Sequence, residues 1–216
     1  MATNRADSLP EFQIVNAAEL PVSEACLRNR QSIVDVLATE LPGRAVVLEL
    51  ASGTGQHAEF ITEQLPHLTW QASEVANRMG VLNARRLQSP RDNFLPPLVL
   101  DVGQDLWPVK QVDAVFAANL VHCLDWPHVR AMLYGVGRVL RLGGLALFYG
   151  PYNYNGEFTS DGNRALDAWV RQEFHPNAGL KDFEQMVLAA RREKLRLLKD
   201  VAMPANNRML VFRKYQ

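Results

Sequence analysis

One stretch, Val46–Gly55 (VVLELASGTG), constrains this chain more than any other. Val46, Val47 and Leu48 form a β-branched and aliphatic run behind Pro42-Gly43, which predicts a buried strand closed by Glu49 and Leu50. Ala51, Ser52, Gly53, Thr54 and Gly55 make a turn of small residues, and Gln56–Leu65 has helical spacing. Strand, small-residue turn and helix form the first unit of a nucleotide-binding α/β fold. Its glycines let a ligand lie against bare backbone, and its helix start offers unpaired N–H groups.

A dinucleotide fingerprint would read Gly-x-Gly-x-x-Gly. Here the pattern is Glu-x-Ala-x-Gly-x-Gly, with an acid on the last turn of the strand. That suits a ligand with a cationic end better than one with a pyrophosphate. S-adenosylmethionine is such a ligand: it has an ammonium, a sulfonium, a ribose and an adenine, and no phosphate. The alternative is a tight strand–helix turn that binds nothing.

Length and composition narrow the classes further. The chain has 216 residues and 48% hydrophobic content, enough for one α/β domain with a full core. We expect an irregular arm over residues 1–20 and a single domain over 21–216. The formal net charge of +0 offers no basic surplus for nucleic acid. Cys26 and Cys123 lie far apart and form no metal-type cluster, so no metal is expected and free thiols are. No apolar run approaches a membrane span, and Met1–Pro10 lacks a signal-peptide core. A soluble cytoplasmic protein follows as the expectation; oligomeric state does not follow from any of this.

Along the chain, Ser23 can cap a helix running to about Leu41, with Cys26, Ile33, Val34, Leu37 and Leu41 at helical spacing. Its other face carries Arg28, Asn29 and Arg30, read either as a solvated face or as a lid over a pocket. Thr69–Ala72 reads as the second strand. Glu74, about 20 residues past the glycine turn, can accept both hydroxyls of a ribose, or simply cap the helical stretch Val75–Leu87. Leu98–Leu100 reads as strand three. Asp101 can accept an adenine amine with Val102 against the ring, or it can form a turn. Val112–Ala118 is strand four, with Asn119 and His122 just beyond its carboxyl end, where open α/β sheets bind ligands. His122 can be a general base or a structural hydrogen bonder. Asp125 caps a helix through Leu140 that ends at Gly143-Gly144. Leu145–Tyr149 is strand five, and Tyr149, Tyr152 and Asn153 cluster at its end. A helix capped near Ser160 carries Leu166, Trp169 and Val170 on one face, and Asp182–Arg191 reads as another helix. Leu195–Val201 and Met209–Phe212 read as antiparallel strands around Met203–Asn207.

These strings together resemble a known group. The turn is similar to that of class I S-adenosylmethionine-dependent methyltransferases generally. LELASGTGQHAEF, TWQASE, the NLVH of Asn119–His122, LFYGPYN and MPANN resemble the methyltransferase-like 26 group (domain of unknown function 938), as does Arg28-Asn29-Arg30. The resemblance implies a Rossmann-like sheet of seven strands in order 3-2-1-4-5-7-6, strand seven antiparallel, with helices on both faces. It implies S-adenosylmethionine at Glu49, Ala51, Ser52, Gly53 and Gly55, with Asn119 also on the cofactor side. The ribose would sit at Glu74 and the adenine near Asp101 and Val102. Ala51 stands where the broad class has a first glycine, so slight reshaping is expected.

The expected function is methyl transfer to the oxygen, nitrogen or sulfur of a small molecule, releasing S-adenosylhomocysteine. His122 is the candidate base. Arg28, Arg30, Tyr149, Tyr152, Asn153, Asn206 and Asn207 are the candidate acceptor-site residues, with Arg28 or Arg30 pairing a substrate carboxylate in a bidentate role that lysine fills poorly. The rivals are a non-catalytic S-adenosylmethionine-binding regulatory module and a protein methyltransferase.

Overall fold

Residues 20–216 are described by a computed structural model. Of the arm expected over residues 1–20, residues 1–19 lie outside the described residues. The aliphatic run forms β1 (Ala45–Leu50) because it has strand neighbours on both sides and apolar partners on both faces. It pairs in parallel with β2 (Leu68–Glu74) and with β4 (Val112–Ala118). Glu49 lies between Ala72 and Phe116 in the register, at the carboxyl end of the sheet's centre.

Beyond β2 lies the short β3 (Leu98–Val99); beyond β4 come β5 (Leu140–Gly150), β9 (Asn207–Lys214) and β8 (Leu195–Met203). The seven-stranded sheet runs β3-β2-β1-β4-β5-β9-β8, with β9 antiparallel to both neighbours. Two further strands, β6 (Tyr152–Asn153) and β7 (Lys181–Asp182), pair separately in parallel, which the sequence did not suggest. They make the sheet's last two strands eighth and ninth along the chain, where the sequence reading has sixth and seventh.

Side-chain alternation sends successive residues of each strand to opposite layers. Val47, Trp70, Phe116 and Leu147 pack against α1 (Glu24–Glu40), α2 (Gln56–Gln64) and α3 (Met79–Gln88). Leu48, Val115, Phe148 and Phe212 pack against α4 (Trp126–Val139) and α6 (Phe183–Arg192). The remaining helix, α5 (Asp161–Glu173), packs against a 3-10 turn, Val121–Cys123, just past β4. Ser23, Asp125 and Ser160 cap α1, α4 and α5 through their side chains, as their positions predict.

Four local readings change. The helix expected to pass Leu140 ends at Val139, and Leu140 already pairs with Val112 in β5. The Gly143-Gly144 pair is therefore not a helix cap. Gly144 is needed because a Cβ there would lie 2.7 Å from the Asp113 carbonyl oxygen. The stretch Val75–Leu87 divides into a 3-10 turn, Ala76–Arg78, and α3. Leu100 does not extend β3; its N–H instead donates to the Glu74 carbonyl. Trp169 and Val170, read as sharing one face, differ in burial: Val170 is buried and Trp169 is 51% exposed.

Candidate functional site

The carboxyl ends of β1, β4 and β5 open onto a cavity of about 810 Å³. Its floor is the turn Ala51–Thr54. Cys26, Arg28 and Asn29 of α1 form one wall, and Leu166, Trp169 and nearby Phe174 form another; Pro204, Ala205 and Asn207 of the β8–β9 hairpin line its edge.

The floor is held by backbone. Ala51, Gly53 and Gly55 all have positive φ (51°, 57° and 76°). For Ala51 that conformation costs about 1–2 kcal/mol. A Cβ on Gly55 would come within 2.8 Å of Leu82 Cδ1, so Gly55 serves the fit of α3 against the turn and does not line the cavity. Ser52 N–H donates to Ser73 O, Gly55 N–H to Ser52 O, and Ser73 Oγ to Glu49 O. Glu74 lies behind the turn, not on the cavity wall. Its Oε2 accepts from Gly53 N–H at 2.9 Å and its Oε1 from Val75 N–H at 2.8 Å.

Glu49 is the only carboxyl lining the cavity among the described residues. It is 2% exposed, and its Oε2 accepts from Trp70 Nε1 at 2.9 Å. Burial pushes its pKa up to about 7, against the pull of hydrogen bonds from Trp70 and Ser52. Near neutral pH this carboxyl is thus divided between its protonated and ionised forms.

A polar cluster that sequence reasoning missed joins α1 to α2. His57 Nε2 lies 2.8 Å from Asn29 Oδ1, and its Nδ1 lies 3.8 Å from Cys26 Sγ. Burial lowers the His57 pKa to about 4, so the ring is neutral and Nε2–H is the donor to Asn29. Asn29 also hydrogen-bonds the Tyr149 side chain. Asn29 is therefore buried, whereas Arg28 is exposed and Arg30 half-buried. The only signal available was a histidine on the second position of α2, facing a helix with a buried asparagine.

Asn119 and His122 meet at the far side. Asn119 takes a positive φ of 58° and donates its N–H to Tyr149 O at 2.8 Å. A Cβ on Gly150 would lie 3.6 Å from His122 Nδ1 and 3.9 Å from Asn119 Oδ1, which places both side chains over the end of β5. The His122 ring is 7% exposed and has no side-chain hydrogen bond among the described residues. Burial first, and the Lys181 charge second, lower its pKa to about 4. Lys181 Nζ donates to Leu124 O and Gly179 O, both at 2.6 Å, and Gly179 N–H donates to His122 O at 2.8 Å. The turn bearing His122 is thereby tied down at both ends.

Of the sequence candidates, Glu49, Ala51, Ser52, Gly53, Asn119, His122, Arg28, Tyr149 and Asn207 line the cavity. Others do not. The Arg30 guanidinium lies 4.3 Å from the Phe60 ring centre, so its charge is spent on α2. Tyr152 and Asn153 are carried away from the cavity by β6, with the Tyr152 hydroxyl and Asn153 Oδ1 buried and unpartnered among the described residues. Asn206 is exposed at the hairpin tip, where its φ of 55° serves the turn. Asp101 is exposed and accepts from Gly103 N–H at 2.8 Å, the turn role, while Val102 is packed in the core. Cys123 and Arg78 also line the cavity and were not foreseen as site residues.

The sequence profile of one family, described as "Protein of unknown function (DUF938)", matches residues 20–214. The chain belongs to that family. A curated relative, malonyl-[acyl-carrier protein] O-methyltransferase of Paenibacillus sp. (strain JDR-2), is 30% identical over 112 residues, which are 50% of this chain and 40% of the relative. Among solved structures, an O-methyltransferase family protein from Burkholderia thailandensis superposes with a TM-score of 0.76 at 16% identity, covering 89% of this chain and 58% of its own. CalO1, a methyltransferase in calicheamicin biosynthesis solved in its S-adenosylhomocysteine-bound form, gives 0.68 at 14% identity, covering 85% and 53%. The chain thus spans less than two thirds of each of these proteins. Its fold is the Rossmann-like fold of class I methyltransferases.

Proposed function

We propose that the protein is an S-adenosylmethionine-dependent methyltransferase acting on a small-molecule acceptor. One juxtaposition carries this reading: a buried acid, Glu49, and a neutral histidine, His122, both line one 810 Å³ cavity floored by bare backbone. That volume is toward the upper end of the ~300–1,000 Å³ usual for small-molecule sites, which suits two ligands side by side. The fold, shared with solved methyltransferases, supports the same reaction class.

The residues present fit the cofactor. Glu49 offers its ammonium a buried carboxylate, Ala51–Gly53 offers close backbone, and Glu74, with free lone pairs left on its carboxylate, is the acid closest behind the turn for a ribose. Bound S-adenosylmethionine supplies an electrophilic methyl group on a sulfonium, which needs no metal for its activation. The protein's task is then to hold a nucleophile in line, an effect worth up to ~7–11 kcal/mol in favourable cases. His122 is unprotonated at neutral pH, so its ring can accept the proton of an acceptor hydroxyl as the new bond forms. Asn119 and Tyr149 shape the space beside it.

The test is calorimetric titration with S-adenosylmethionine and, separately, S-adenosylhomocysteine, on the wild type and on Glu74→Ala. Binding in the micromolar range, about −8 kcal/mol, is expected for the wild type and loss of it for the variant. A folded wild type that binds neither compound ends the methyltransferase reading.

A further inference from the structure

Arg78 sits at the end of the 3-10 turn after β2. It lines the cavity half-buried, and its side chain has neither hydrogen bond nor ion pair among the described residues. Its charge reaches the thiol of Cys123, next to His122. Arg28 lines the same cavity from α1, exposed and also unpaired among the described residues. The other arginines with partners show the contrast: Arg85 pairs with Glu59 at 2.7 Å, Arg171 with Asp167 at 2.6 Å and Arg208 with Asp200 at 2.7 Å. Two cations therefore face one cavity whose sole lining carboxyl among the described residues, Glu49, is assigned above to the cofactor ammonium.

The opposite wall is apolar. Trp169 and Phe174 meet edge to face at 5.8 Å, with Leu166 beside them, and both rings keep a substantial part of their surface uncovered (51% and 37%). Their helix, α5, packs against the turn that carries His122. An aromatic wall, an arginine whose side chain is uncommitted and a proton acceptor thus line the same cavity. A flat apolar ring suits the wall, and an anion suits the arginine.

We propose that the methyl acceptor is a hydroxylated aromatic acid, its ring against Trp169 and Phe174, its carboxylate on Arg78 and its hydroxyl toward His122. This rests on the methyltransferase reading above. The carboxylate and the nucleophile are separate groups, because a carboxylate paired with arginine has its lone pairs engaged. In the reaction the hydroxyl oxygen bonds to the methyl carbon. The carbon–sulfur bond breaks with its electron pair left on sulfur, and the hydroxyl proton passes to a His122 ring nitrogen and on to solvent. The products are a methyl ether and S-adenosylhomocysteine. The field also selects: the cofactor carries a net charge of one plus, so a cationic acceptor would meet it together with Arg28 and Arg78, and an anionic one is drawn in.

The experiment measures methyl transfer to a panel of hydroxybenzoates and hydroxycinnamates, each beside its neutral carboxamide. Wild type, Arg78→Met and Arg78→Lys are compared, with S-adenosylhomocysteine titrated calorimetrically into each. The expected result is a kcat/KM at least ~10-fold higher for an acid than for its amide, as a charge-assisted pair would give. That preference should vanish in Arg78→Met and return in part in Arg78→Lys, with S-adenosylhomocysteine affinity held. If no acid outperforms its amide while S-adenosylhomocysteine still binds, the proposal falls and the methyltransferase reading stands. An acid preference that survives Arg78→Met overturns the assignment to Arg78. Failure of the wild type to bind S-adenosylhomocysteine removes both.

Discussion

The two ends of the cavity are built on opposite plans. The β1–α2 turn is over-determined: its backbone is bonded to Ser73 and Glu74, its glycines are forced by φ or by Leu82, and its acid is buried beneath Trp70. The α5 end is loosely specified: Trp169 and Phe174 are partly exposed, as are the cavity-lining Arg28 and Arg78, whose side chains have no partner among the described residues. A turn of the first kind cannot be altered without altering the fold, so it suits a ligand that stays the same. A wall of the second kind can change residue by residue without cost to the core, so it suits whatever distinguishes one acceptor from another.

That contrast can be broken or sharpened by substitution. The largest effect is expected at the boundary between the two ends. His122→Ala should lower kcat by ~10²–10⁴-fold, the usual share of a general base, with S-adenosylhomocysteine affinity nearly unchanged by calorimetry. Unchanged turnover would remove His122 as the base. The pH profile adds a check: with a pKa near 4, His122 is neutral from pH 5 upward, so no acid limb near pH 6.5 should be traceable to it.

Next come the two acids of the turn. Glu74→Ala leaves the Gly53 and Val75 N–H groups without their acceptor. It should cost ~1–3 kcal/mol in denaturant titration and lose cofactor binding as well. An unaltered unfolding midpoint would mean that the turn does not depend on this acid. Glu49→Gln should behave in the opposite sense. The Glu49 pKa is raised to about 7 in the folded state. Its contribution to stability is therefore full below the ordinary carboxylate pKa and is lost as pH rises through about 7, staying lost above. The variant should thus be more stable than the wild type at pH 8, by up to ~3 kcal/mol, and equal or less stable at pH 4. Wild-type cofactor binding should strengthen by ~10-fold per pH unit up to about 7 and then level, with proton release detectable by calorimetry in buffers of different ionisation enthalpy.

The smallest effect is expected on the α5 wall. Trp169→Ala should change stability by no more than ~0.5 kcal/mol, because the ring is half exposed. It should raise the acceptor KM by ~5-fold, corresponding to about 1 kcal/mol of aromatic contact, while leaving cofactor affinity alone. Loss of cofactor binding in this variant would show that the two ends are not separable.

The same division explains how far reading the sequence could go. The turn was legible because its residues are consecutive: Glu49 to Gly55 declare acid, small residues and glycines in one string. Strand four was recovered residue for residue, since VDAVFAA is bounded by polar residues on both sides. Two misreadings have one cause, that a local pattern does not show its neighbours. Gly143-Gly144 looks like a helix stop, but it is there to let β5 pass the Asp113 carbonyl. Arg28, Asn29 and Arg30 look like one polar face, yet they point three ways, to the cavity, to His57 and to Phe60.

By itself, then, the sequence determines the layering of this protein and the chemistry of its central turn, because periodicity and glycine placement act over a few neighbouring residues. Only the tertiary structure decides the membership of the rest of the site. His57, Cys123, Arg78 and Phe174 enter it, and Tyr152, Asn153, Asp101 and Arg30 leave it. The physical reason is that a side chain's direction in space depends on how its helix or strand is docked. Docking is settled by apolar burial across the whole sheet, which places polar groups from distant parts of the chain together without any local sign of it.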